Sequence, residues 1–201
     1  MTRLKMSTIV AMFAVSLGLW VGAARADEAA APTGVRGEML MWMKDAEGKL
    51  IQLAEATPEE KYAWRPSKDV RSTGEVFMHV VTANYGIPAM WGVKAPEGFN
   101  FATHEKSLTK KADIQQALKA SFAHMEQGFL ATSDADLEKP VDLFGMKTTV
   151  RGGYLLVLSH SHEHLGQSIA YARSNGIVPP WTLKQQEAAK AAEEKKKAAA
   201  K

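Results

Sequence analysis

Apolar residues recur at three- and four-residue spacing in four long stretches of the chain, and each stretch is bounded by residues that start or stop helices. Met39, Met43, Ala46, Leu50 and Leu53 form the first stripe, within about 35–56, the period of an amphipathic helix. Thr57-Pro58-Glu59-Glu60 reads as a fresh helical start, with Thr as N-cap, Pro at the first position and Glu at the third. Pro66 then disfavours helix for Arg65. Ser72-Thr73-Gly74-Glu75 is a capping-box pattern ahead of a second stripe of Val76, Val80, Ala83 and Ile87, and Pro88 is expected to end that helix. A third helix is predicted over roughly 110–130, with Ile114, Leu118, Ser121, Met125 and Phe129 facing inward. The last runs from about Thr149 to Ser174, with Leu156, Val157, His160, Ser161, His164, Ser168 and Tyr171 on one face.

The segments between these helices have a different grain. Residues 90–107 are rich in Gly, Pro, Asn and aromatics and read as a long loop, a place where sites are often built. Residues 131–148 form a connector, with a small hairpin expected over 141–150 around Gly145. Asn175-Gly176 is a helix stop, and Pro179-Pro180 is expected to keep the helix from resuming. The Ala/Glu/Lys tail from Lys184 has no apolar stripe and is expected to be a frayed helix or disordered. Four long amphipathic helices predict an all-α fold, a four-helix bundle.

Composition sharpens this picture mainly by exclusion. The 201 residues, 46% hydrophobic and 23% charged, suit one ordinary domain with a core of its own. With no Cys there are no disulfides, thiolate metal sites, nucleophilic Cys or covalent haem attachment. A net charge of +3 suggests a nucleic-acid footprint until it is divided along the chain. Residues 1–26 carry +3, residues 184–201 carry another +3, and residues 27–183 hold 16 basic and 19 acidic side chains. The body of the protein is mildly acidic, so nucleic acid is not an expected partner.

Residues 1–26 have the design of a secretory signal peptide. Arg3 and Lys5 precede an uncharged, mostly apolar run from Met6 to Ala24, and Ala24-Arg25-Ala26 places small residues at a cleavage site before Asp27. The run approaches the ~20 residues of a membrane span, but Gly18 and Gly22 dilute it and the A-x-A ending favours cleavage. The expected organisation is a signal peptide at 1–26, a linker at 27–34, the bundle at 35–183 and the tail at 184–201. An exported protein, periplasmic or secreted and without a stable membrane anchor after cleavage, follows from it.

The chemistry lies with six histidines at 79, 104, 124, 160, 162 and 164. An HExxH zinc-protease motif beginning at His162 fails because Gly166 stands where the second His is needed. On a helix, His160 and His164 share a face while His162 points about 200° away. That convergence makes the pair a candidate for metal ligation, and His79, beside Val76, Val80 and Ala83 on the second helix, is the natural third ligand. The plain alternative for each is a hydrogen-bonded core imidazole. A His₃ set would leave an open position, as catalytic zinc sites do, yet imidazole also suits nickel, copper, iron and cobalt. His104, His124 and Gln167 are candidates for outer roles, Gln167 as a group that orients a ligand. Glu163 is expected in solvent. Trp91 and Phe99 are candidates for a pocket wall, or for packing over the end of the bundle.

The run His160-x-x-x-His164-x-Gly166-Gln167 through Tyr171-x-Arg173-x-Asn175-Gly176-Ile177-Val178-Pro179-Pro180 resembles the DinB/YfiT-like superfamily of metalloenzymes, as do Pro58-Glu59-Glu60, Arg65-Pro66 and Arg71-Ser72 leading to His79. The resemblance spans roughly residues 35–181. It implies a four-helix bundle of the DinB/YfiT-like type and a divalent metal on His79, His160 and His164, zinc or nickel foremost, with iron, manganese and cobalt also compatible. Glu163 departs from the second His or aromatic common at that position. Relatives include transferases and isomerases that use intracellular thiols, a supply an exported protein would lack. The expected function is therefore a metal-dependent hydrolase or transferase acting on a small molecule, and a homodimer is compatible with it. The alternative is a non-catalytic bundle that binds a metal or small ligand.

Overall fold

The computed structural model describes residues 33–199. The signal peptide expected at 1–26 and most of the linker expected at 27–34 lie outside the described residues. Four long helices carry the fold: α1 (Gly34–Ala56), α2 (Thr73–Ala89), α3 (Lys111–Ala131) and, after a four-residue α4 (Asp134–Leu137) and a hairpin of β1 (Pro140–Leu143) and β2 (Met146–Thr149), α5 (Val150–Ser174). A further helix, α6 (Pro180–Ala199), follows. Among the described residues, no helix is long and apolar enough to cross a membrane.

The four long helices pack as a closed ring in which α2 and α1 each touch both α3 and α5. Their inward stripes are those expected. Met39, Met43, Ala46, Leu50 and Leu53 are buried on α1, and Ile114, Leu118, Ser121, Met125 and Phe129 on α3. Helix α2 is buried over nearly its whole circumference, the behaviour of a helix apolar on every side. The segment containing the single-turn helix His104–Lys106 packs against it. Phe101 can lie on α2 because residue 86 is glycine: a Cβ there would stand 2.0 Å from the Phe101 ring. Trp91 similarly occupies the space above Gly153 on α5.

Local signals place the ends of the helices. Ser72 Oγ accepts from the Glu75 amide at 3.3 Å while Glu75 accepts from the Ser72 amide at 2.7 Å, a complete capping box for α2. The hairpin falls where Gly145 suggested it, with Pro140 opposite Thr149 and Leu143 opposite Met146. Its two-residue turn has left-handed backbone at both Phe144 (φ 55°) and Gly145 (φ 89°), the pattern of a type I′ turn.

Two expectations about proline are corrected. Pro88 lies within the last turn of α2, which continues to Ala89. Pro180 does not keep helix from resuming. It opens α6, because the first position of a helix needs no amide donor and suits the fixed φ of proline. The tail, expected as a frayed helix or as disorder, is helical through Ala199. Ala, Glu and Lys are strong helix formers, and Lys197 meets Glu193 one turn back at 2.6 Å. None of α6 is buried, although Trp181 at its start packs against the core.

Candidate metal centre

Helices α2 and α5 run side by side, and their facing surfaces bring three imidazoles together. One nitrogen from each of His79, His160 and His164 can be chosen so that all lie within 4.8 Å of one another, a set able to hold a metal ion. His79 Nε2 and His160 Nε2 are 3.0 Å apart. Nitrogens on one tetrahedral zinc, at bonds of ~2.0–2.1 Å, stand about 3.3 Å from each other. Ring centroids are 4.4–4.9 Å apart across the trio.

Two of the three rings are held from behind. His79 Nδ1 donates to Glu105 Oε2 at 2.8 Å, and His164 Nδ1 donates to Gln167 Oε1 at 2.7 Å. Each bond fixes the tautomer that leaves Nε2 unprotonated, which is what a ligand requires. The supports are themselves anchored. Glu105 takes Arg71 Nε at 2.7 Å and Arg71 Nη2 at 3.2 Å. Gln167 Nε2 donates to Tyr171 Oη at 3.1 Å, and Tyr171 Oη donates to the Arg71 carbonyl at 3.2 Å. Trp64 stands edge-on against Tyr171, with centroids 5.3 Å apart. His160 has no such support: its Nδ1 is buried without a partner among the described residues.

The electrostatics keep the site in its ligating state. Burial, reinforced by charge on His164, His79 and Arg71, pushes His160 down to about 3. Burial also lowers His79, against the pull of Glu105 and with help from Arg71 and His164. Burial acts to raise Glu105, but its hydrogen bonds to Arg71 and His79 outweigh that and hold it below the usual carboxylate range. Neutral imidazoles beside an ionised carboxylate are a donor set that fits a divalent cation.

Beside the trio opens a cavity of about 510 Å³. Its polar end is formed by Arg71, His79, Glu105 and His160. Its walls come from Ala83, Ile87 and Leu156 on the helices, Phe101 on the loop, and Phe144 and Met146 on the hairpin.

The other sequence candidates divide. Gln167 does orient a histidine, and Glu163 is exposed. His162 is half-buried rather than in open solvent, its Nδ1 donating to the Leu158 carbonyl at 3.0 Å and its ring edge-on to Trp42. His104 and His124 lie apart from the trio, flanking Tyr85 with centroids 5.9 and 5.1 Å from it. Trp91 and Phe99 do not line this cavity. Trp91 packs on Tyr154, and Phe99 on Tyr85 and His104. Sequence reasoning named Arg71 only as part of the resemblance, without a role, and missed Glu105, Phe144 and Met146. Glu105 is two residues before the end of the expected loop, and only its place in that loop could have marked it.

Comparison with known proteins agrees with this architecture. The family model described as the DinB superfamily matches residues 43–168. A crystal structure of a DinB-like protein from Bacillus cereus superposes with a TM-score of 0.64 at 20% identity, covering 73% of this chain and 95% of that one. A DinB-like protein from Bacillus subtilis gives 0.57, also at 20% identity, covering 70% and 93%. At that identity the likeness is one of fold. No curated protein matches the sequence.

Proposed function

The chain belongs to the DinB superfamily, and from that premise we propose that it is an exported metal-dependent hydrolase or transferase of small molecules, with its ion on His79, His160 and His164. The observation that carries the proposal is the pair of back-side hydrogen bonds. Glu105 and Gln167 each accept from a ligand histidine, leaving Nε2 unprotonated on one ring of each helix, and one nitrogen from each ring of the trio lies within 4.8 Å of the others. When bound, a divalent ion supplies Lewis acidity, lowering the pKa of a water or polarising a substrate oxygen or sulfur. Zinc and nickel suit three imidazole ligands; iron, manganese and cobalt are the other candidates. The remaining work falls to the chain: Glu105 and Gln167 orient ligands, Arg71 fixes Glu105, and the apolar walls exclude water. Export rests on the Arg3/Lys5 start, the uncharged run and Ala24-Arg25-Ala26.

Elemental analysis of the purified protein tests the site. The parent is expected to hold one ion per chain, and His160→Ala and His164→Ala to lose it while remaining folded by circular dichroism. Variants that keep the parent's metal content would sink the proposal. Amino-terminal sequencing of protein from the periplasm or medium should begin at Asp27. One observation favours a second reading, a non-catalytic metal or ligand carrier: Glu105, the carboxylate at the site, has both oxygens engaged and is not free to act as a general base. Turnover of any ester, amide or thiol substrate by metal-loaded protein, lost in His160→Ala, would exclude it.

A further inference from the structure

Phe144 is expensive to place where it stands. A non-glycine residue in left-handed backbone carries a steric cost, and the first central position of a type I′ turn favours Asn, Asp or Gly. Phe144 is also 62% exposed, so the fold gains little burial in return. Its neighbours at the cavity mouth share this exposure, Met146 at 60% and Phe101 at 49%. The Phe144 and Phe101 rings lie 6.4 Å apart, one from the hairpin and one from the loop resting on Gly86. The three form an apolar lip over a cavity whose floor is Ala83, Ile87 and Leu156.

The opposite end of the cavity is cationic in character. The one carboxylate there, Glu105, is divided between Arg71 and His79. Arg71 gives Glu105 its Nε and Nη2, and among the described residues Nη1 meets no protein acceptor. The guanidinium and a bound divalent ion leave a net positive field after Glu105 is counted. A guanidinium with an unused N–H is built for oxygen anions rather than for soft sulfur.

We propose that this cavity binds a monocarboxylate with an apolar aliphatic or aryl body, its head at Arg71 and the imidazole cluster and its body under the lip, and that Phe144 determines specificity for that body. The inference takes the metal-site reading as its basis and adds the class of substrate. The volume lies in the range that encloses a small organic ligand.

Calorimetric titration of the metal-loaded protein with octanoate, acetate and octanol tests the proposal, with metal content measured on each sample. Octanoate should bind about tenfold or more tighter than acetate or octanol, since each of those lacks one half of the match. Phe144→Asn should weaken octanoate about fivefold, leave acetate and metal content unchanged, and raise Tm, because Asn tolerates left-handed backbone. A residue kept only for folding would not show higher Tm together with weaker binding. Octanoate binding no tighter than acetate overturns the inference, as does Phe144→Asn that binds octanoate like the parent. Octanol equal to octanoate overturns the carboxylate head. A protein that holds no metal yet binds octanoate through Phe144 would refute the metal reading alone, and a metal-loaded protein blind to octanoate would refute this one alone.

Discussion

Glu105 does two things with one carboxylate: Oε1 and Oε2 together secure Arg71, and Oε2 also accepts the His79 Nδ1 proton. A carboxylate behind a ligand imidazole raises its basicity and holds its orientation. Glu105→Gln, which keeps the shape and removes the charge, is expected to weaken metal affinity about tenfold to a hundredfold, measured by competition with a chromogenic chelator. An unchanged affinity would mean that His79 is oriented by packing. The contrast with Gln167 shows which residue-scale features are legible in a sequence. Gln167 lies three positions beyond His164 on a periodic helix, so its reach toward that ring follows from helical geometry. Glu105 belongs to a stretch without periodicity, and its approach to His79 depends on Phe101 settling on Gly86, a tertiary contact that no local pattern encodes.

Among the elements, α2 is the most informative, since it is buried nearly all round and carries His79. Its start rests on the reciprocal bonds of Ser72 and Glu75. Ser72→Ala should cost about 1 kcal/mol, lowering Tm by about 2–4 °C in a domain of this size, as thermal unfolding by circular dichroism would read. That capping box was visible as residue types at fixed spacing, as were the stripes of α1 and α3, because each reports a constraint within one or two turns. Proline was misread for the same local reason. Pro180 carries opposite meanings at a helix interior and at its first position, and only the Ala/Glu/Lys stretch beyond it decides between them. The cavity lip was illegible because its members come from a loop and a hairpin. The sequence pattern located the turn at Gly145 but not what the turn overhangs.

For the whole molecule, pH is the simplest lever on stability away from the metal centre. Burial depresses both His104 and His124 below their ordinary value of 6.5. Below about pH 6.5 the unfolded chain takes up protons that the folded protein resists. Stability is therefore full above that pH and is lost as pH falls toward the depressed folded values. Urea unfolding should show a lower midpoint at about pH 5.5 than at about pH 7.5, and His124→Gln, which cannot charge, should flatten the difference. A midpoint that rises on acidification would contradict the burial seen for these two rings.

The segment from Phe101 to Glu105 carries a ligand's support at one end and part of the cavity lip at the other. That segment therefore borders both proposed binding events, so that a change in it made by one is felt by the other. Thermodynamic reciprocity then sets the relation between them. Metal should tighten octanoate by the same factor by which octanoate tightens metal, and chelator titrations with and without octanoate can be compared with octanoate titrations with and without metal. If both proposals hold, the ion is gripped most firmly when the carboxylate is abundant, and scarcity of either loosens the grip on both.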